Sequence, residues 1–319
     1  MLLGSLIPLY IYLMNNRELK ISHNVKYEME LPTDDPPAVV NAVCAGDPRR
    51  VGVPNLNGFR ATILDLIDRN YLFLKNRSYN RFYNSESLLL EINPNKDLSS
   101  LWKFEVMVLD FLREYEQEGI ISMDLLSESM KRLTNGQFDR SEYRNLIYEY
   151  ERNLYAYEDW KNEVKRTLVE GHFNEAFYSN GYNYLKIFGV LGTITAWALM
   201  FYSFPSRLFS GIFMLCALTL LISSFISLFL PQKIVGHWTP YGREYYERWM
   251  NFKRYIEDFS LIKDCSPEYV KIWNKYLVYA TALGAAKGVK KIIGLSLPED
   301  ELLKSDVYMF HNYEYKNSD

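Results

Sequence analysis

The sequence predicts a mainly α membrane protein: a transmembrane helical hairpin joined to a cytoplasmic winged-helix-like (α+β) region and to further helical regions. Three observations point there. Leu208 to Leu230 runs for 23 residues without a charge, enough at about 1.5 Å per residue to cross a hydrocarbon core about 30 Å thick. Ile187 to Phe204 is also uncharged, and only Pro205, Ser206 and Arg207 separate the two. The rest of the chain is rich in charge and tyrosine, so a mean hydropathy of −0.20 conceals a few strongly apolar windows.

The elements follow in order. Residues 1–14, MLLGSLIPLYIYLM, are apolar but short for a span. They lack the basic leading region and small-residue cleavage site of a signal peptide, and read as a partial transmembrane helix whose beginning lies upstream. Residues 15–100 form the winged-helix-like region. Asp35-Pro36-Pro37 opens an apolar helix through Ala45, with Gly46 as its stop. A second helix runs from about Gly58 to Arg69, placing Phe59, Ile63, Leu66 and Ile67 at helical spacing. Tyr71–Lys75 and Leu88–Ile92 read as strands joined by the polar stretch Asn76–Ser87. Helix, helix and hairpin in that order outline a winged helix whose second helix would be the recognition helix.

Residues 101–181 are expected to be helical, as is the whole stretch from Leu98 to Gly171. Leu101, Phe104, Val108 and Phe111 form one stripe, Ser122 could cap a short helix, and Asp139 or Ser141 a longer one. Its tyrosines, Tyr143, Tyr148, Tyr150, Tyr155 and Tyr157, are expected to be half-buried packing rather than base-stacking platforms. The hairpin occupies 182–230. With so short a turn its helices must be antiparallel, and Lys165, Arg166, Lys186, Lys233, Arg243 and Arg248 flank it against Arg207 alone in the turn, which places both flanks in the cytoplasm. The C-terminal helical region, 231–319, begins at a good cap, Thr239-Pro240, and puts Tyr245, Trp249, Phe252, Ile256 and Phe259 on one face. Ser266-Pro267 opens another helix, with Val270, Trp273 and Leu277 buried and a run of small residues from Ala280 to Ala286. These faces are too apolar to stay exposed, so this region is expected to pack on the first cytoplasmic region.

No chemistry is legible. Cys44, Cys216 and Cys265 fit no disulfide framework or metal spacing, and the four histidines are far apart. Gly284–Lys291 lacks the spacing and preceding strand of a phosphate-binding loop. No nucleophile elbow occurs, and no cofactor is implied. Residues 17–100 carry eleven basic and eleven acidic side chains, with Asp65 and Asp68 on the second helix. That balance argues against nucleic acid, which is bound through clustered Lys and Arg. Arg77 and Arg81, in the wing, are the candidates for contact with a partner or a nucleic-acid backbone.

YEMELPTDDPPAVVNAV, GFRATILDLIDRNYL, HWTPYGREYYERWMNFKRYIEDFS and IWNKYLVYATALG, in this order around the hairpin, resemble the predicted membrane proteins of bacteria and archaea grouped as domain of unknown function 2207, including the YciQ-like proteins. The resemblance implies an extracytoplasmic β-rich domain upstream, then a membrane helix, then a region like this one. It carries no activity and no catalytic residue. The function expected is a non-enzymatic, membrane-anchored interaction or signalling module that couples the envelope to a cytoplasmic protein partner. The alternatives are a membrane-tethered winged-helix DNA-binding regulator and a membrane enzyme with an unfamiliar site.

Overall fold

A computed structural model describes residues 4–15, 26–80, 85–123, 143–171, 176–203, 210–258, 270–289, 302 and 304–318. The protein is mostly helical with a small antiparallel sheet. In chain order the elements are α1 (Ile7–Asn15), α2 (Pro37–Val40) continuing as a π-helical turn (Asn41–Ala45), α3 (Leu56–Asp68), β1 (Leu72–Asn80), β2 (Ser85–Ile92), α4 (Lys103–Arg113), β3 (Glu116–Gln117), β4 (Ile120–Ser122), α5 (Tyr143–Glu170), β5 (Phe177–Tyr178), α6 (Asn180–Ser203), α7 (Ser210–Phe229), α8 (Gln232–Val235), β6 (His237–Trp238), α9 (Pro240–Glu257), α10 (Val270–Ala282) and α11 (Asp306–Ser318). They fall into two compact units: a smaller one of Met1–Asn24, Asp47–Val51 and Val169–Glu247, and a larger one of Val25–Gly46, Gly52–Leu168 and Arg248–Asp319.

The larger unit is built around α3. Asn55 caps its start by accepting the Asn57 amide at 3.0 Å. Asn70, at φ 60°, ends it, with Tyr71 N donating to Leu66 O and Asn70 N to Ile67 O in a Schellman arrangement. Between these ends Ala61, Ile63, Leu64, Leu66 and Ile67 are buried, and α3 packs against α2, α4, α10 and α11. α3 is the core helix of this unit, enclosed by these four partners.

Asn41, fully buried, ties three segments together. Its amide nitrogen donates to Asn55 Oδ1 and to the Ala282 carbonyl at 2.7 Å, while its oxygen accepts the Asn55 amide. Gly58 lets α3 approach this side chain, since a Cβ there would lie 2.6 Å from Asn41 Oδ1. The end of α9 and the whole of α10 close the core over the segment before α2, as the sequence leads one to expect. Tyr276 and Tyr279 donate to the carbonyls of Met29 and Asp35, and Arg248 holds Glu28 at 2.7 Å. Trp249 stacks on Tyr279 with ring centres 5.1 Å apart and meets Phe252 edge-on. Phe259 and Ser266-Pro267 lie outside the described residues.

The sheet has the order β1-β2-β4-β3. Leu72 pairs with Ile92 and Leu90 with both Leu74 and Ile121. Leu72, Leu90 and Ile121 are buried on the face toward the helices. Two expectations are corrected here. The strands extend through most of Asn76–Ser87, because hairpin pairing overrides the polar character of those residues, and residues 98–171 are not wholly helical. Glu118 and Gly119 both take positive φ, making a two-residue primed turn that folds β3 onto β4; Ser122 therefore ends a strand. Asp139 and Ser141 lie outside the described residues. The tyrosines of α5 divide: Tyr157 packs against Trp160 and Phe59, whereas Tyr148 and Tyr155 are 66% and 68% exposed.

Trp249 is fully buried, so Trp249→Asp places a carboxylate in this core. Unfolding of the detergent-solubilised protein should show a loss of roughly 3–5 kcal/mol; an unchanged melting profile and protease resistance contradict the packing described.

Candidate functional site

The smaller unit presents apolar side chains outward. On α6, Ile187, Val190, Leu191, Ile194, Trp197 and Phe201 are exposed; on α7, Met214, Leu215, Ile222, Phe225, Ile226 and Phe229. Gly181–Phe201 is the one described helix long and apolar enough to cross a membrane, and only 22% of its most apolar window is buried within the protein. A core helix of a soluble domain is covered on most sides. Gly4–Met14 and Met214–Phe229 are shorter apolar helices. Hydroxyls on these helices turn inward to their own backbone: Thr193 donates to Gly189 O, Thr195 to Leu191 O and Ser227 to Ser223 O. That disposal suits surroundings without water.

α6 and α7 pack along each other in opposite directions, with the early residues of one against the late residues of the other. A Cβ on Gly192 would lie 2.1 Å from Ser224 Oγ, and one on Gly189 2.6 Å from Leu228 Cδ2. The two glycines, with buried Ala196 and Ala217, form the small-residue seam that brings membrane helices close. α1 lies against α6, and Ser223 of α7 donates to the Ser5 carbonyl just before α1.

The ends of the pair are clamped together. β5, just before α6, pairs with β6, which follows α7 after the short α8, through Phe177 with Trp238 and Tyr178 with His237. The Ala176 carbonyl accepts both the amide and the hydroxyl of Thr239. The hydroxyl in turn accepts the Gly242 amide at 3.0 Å, which makes Thr239 the cap of α9 that Thr239-Pro240 predicts. Glycine is required at two positions of this knot. A Cβ at Gly242 would stand 2.0 Å from the Ala176 carbonyl oxygen, and one at Gly236 2.5 Å from that of Tyr178. Trp238 packs edge-on against Phe177 and beside Tyr246. The Lys186 ammonium donates to the Leu228 carbonyl near the end of α7 and sits 5.0 Å from the Tyr182 ring centre.

The main titratable cluster is in the larger unit. Arg69, at the end of α3, reaches Asp65 at 2.8 Å and Glu105 at 2.5 Å. The second oxygen of Glu105 accepts the Trp102 amide at 2.9 Å and caps α4. Burial pushes the Asp65 carboxyl up to about 6 against the pull of Arg69, and burial raises Glu105 in the same sense. This is a structural joint between α3 and α4, with both carboxylates consumed by one guanidinium and a helix end. Among the described residues no group of His, Cys, Asp and Glu is arranged to hold a metal ion. Arg77 lies on β1; its side chain and the whole of Arg81 fall outside what is described. The β5–β6 knot escapes sequence reasoning, since its strands are two residues long, although the aromatic flanks Phe177-Tyr178 and His237-Trp238 were there to be matched.

A mostly helical protein with a helix able to cross a membrane is the class that these features define. The profile of the Predicted membrane protein (DUF2207) C-terminal domain matches residues 24–292, and the chain belongs to that family. Comparison with curated proteins and with solved structures finds no match in either.

The ionic joint has a pH signature. An Asp65 carboxyl raised from 3.8 to about 6 means that the folded state keeps a proton which the unfolded chain has released. Its contribution to stability is therefore present at low pH and lost as pH rises through that window. Relative to Asp65→Asn, the protein should lose roughly 1–2 kcal/mol of unfolding free energy between about pH 4 and pH 6.5. Parallel pH profiles for the two contradict this account.

Proposed function

We propose that the chain is a non-enzymatic, membrane-anchored module that couples the envelope to a cytoplasmic protein partner. α6 and α7 cross the bilayer as a hairpin through Pro205, Ser206 and Arg207, and the larger unit lies in the cytoplasm. The observation that carries this is the β5–β6 knot: the chain enters α6 and leaves α7 at paired strands, while the helices between them expose apolar side chains along their length. Lys186 and Lys233 flank that knot, and the positive-inside rule assigns such flanks to the cytoplasm.

Recognition by a protein is favoured over nucleic acid by the surface of α5. Tyr148 and Tyr155, seven residues apart on one stripe, are exposed together with Leu154, and exposed aromatics of this kind anchor protein interfaces. The winged-helix reading keeps the order of helix, helix and hairpin, but the burial of α3 and its Asp65–Arg69 pairing leave no basic helix face for a groove.

Topology and partner are tested on the same cells. A membrane-impermeant thiol reagent should label Ser206→Cys from outside, while Cys44 and Cys265 react only after permeabilisation and mild unfolding. Labelling of just one of Cys44 and Cys265 from outside breaks the hairpin, and labelling of both with Ser206→Cys protected inverts it. A protein that copurifies in mild detergent should be lost, at least about ten-fold, from Tyr148→Ser/Tyr155→Ser, as for aromatic interface anchors. Undiminished recovery with the variant contradicts the α5 assignment.

A further inference from the structure

The end of the smaller unit where α6 begins and α7 ends carries cations, aromatics and exposed apolar side chains. Lys186 lies in the second turn of α6 with its ammonium on a backbone carbonyl rather than on a carboxylate. Just past α7, Pro231 turns the chain into α8, which packs on α1 and α6. The Lys233 amide there donates to the Arg49 carbonyl at 3.3 Å, so the loop Asp47–Val51 is fastened to the same end. Arg49 is exposed, and its guanidinium has no ion pair or hydrogen bond among the described residues. Asp47, the acid of this loop, is already committed: it accepts the Arg49 amide at 2.7 Å and Arg50 Nε at 3.3 Å. Those contacts hold its carboxyl below the usual range although burial opposes them. Tyr178 on β5, Tyr184 on α6 and Ile234 on α8 are exposed.

We propose that this rim is a headgroup site for an anionic phospholipid, with the phosphate held by Arg49 and Lys186 and the acyl chains lying on the exposed faces of α1 and α6. The proposal rests on the reading of α6 and α7 as bilayer-embedded. A guanidinium presents paired N–H groups that match two phosphate oxygens. An ammonium at a helix C-terminus adds a point charge at the depth where a long side chain snorkels. Tyrosines and an isoleucine at that level are interfacial anchors. A zwitterionic lipid brings its own cation to the rim and gains less.

The test uses the full chain in nanodiscs of phosphatidylcholine with one fifth phosphatidylglycerol, followed by release into mild detergent and mass spectrometry of the retained lipid. The ratio of phosphatidylglycerol to phosphatidylcholine in the retained lipid should exceed that of the bulk by about five-fold, the scale of one cation near a charged surface. Arg49→Gln/Arg50→Gln and, separately, Lys186→Met should bring the enrichment close to unity, and Arg49→Lys should retain most of it. No enrichment in the wild type, or the same enrichment in both charge-removing variants, overturns the proposal. So does wild-type stabilisation in pure phosphatidylcholine discs by inorganic phosphate equal to that given by the anionic lipid, which would mark a soluble-phosphate site. Alkaline carbonate separates the two levels: extraction of the protein from native membranes sinks the bilayer reading itself, whereas retention without lipid selectivity sinks only the headgroup site.

Discussion

The Ala176 carbonyl, shared between the amide and hydroxyl of Thr239, is the contact on which the smaller unit depends. It joins the residue before β5 to the cap of α9, and between those points lie two long apolar helices. Helices with lipid-like surfaces have no hydrophobic drive to find one another inside a bilayer. Their register must come from small-residue contact, supplied by Gly189 and Gly192, and from fixing their ends. The knot fixes the ends, and Gly236 and Gly242 are bare because backbone stands where a side chain would be.

The larger unit meets a different constraint. Its polar groups are buried in a close-packed core and must be paired internally. Asn41 does this for three segments at once, and Glu105 does it for a guanidinium and a helix end. The four segments that carry the family resemblance meet here. The first supplies Asn41 and the carbonyls of Met29 and Asp35, the second supplies α3, the third Trp249, and the fourth Tyr276, Tyr279 and the Ala282 carbonyl. What distinguishes the sequence is therefore largely a packing arrangement.

Much of this was legible in the residues. Uncharged runs mark α6 and α7, Thr239-Pro240 marks α9, and apolar spacing marks α3 and the buried face of Trp249 and Trp273. Other features depend on contacts that no local pattern encodes. β4 is a strand because β2 lends it an edge, and β3 because it folds back on β4; the cue at Glu118-Gly119 is a turn without flanking alternation. The polar residues of β1 are strand by pairing. α3 shows a periodicity compatible with either a one-sided or an enclosed helix, and only the arrival of α10 decides it. The knot joins residues some sixty positions apart across the apolar helices, beyond the reach of periodicity. Of the candidate contact residues, Arg77 was expected in the polar connection and instead lies on β1, and its role depends on a surface the sequence does not define.

The account stands on the two flanks of the helix pair meeting at one face of the bilayer. Distance measurement between spin labels at Tyr178 and Ile234, two exposed positions beside the knot, with the protein in lipid nanodiscs, tests this most directly. Paired strands lie about 5 Å apart, so the account predicts a narrow distribution at about 20 Å or less. A population centred near 40 Å, the thickness of a bilayer with its headgroups, would put the flanks on opposite sides and contradict it.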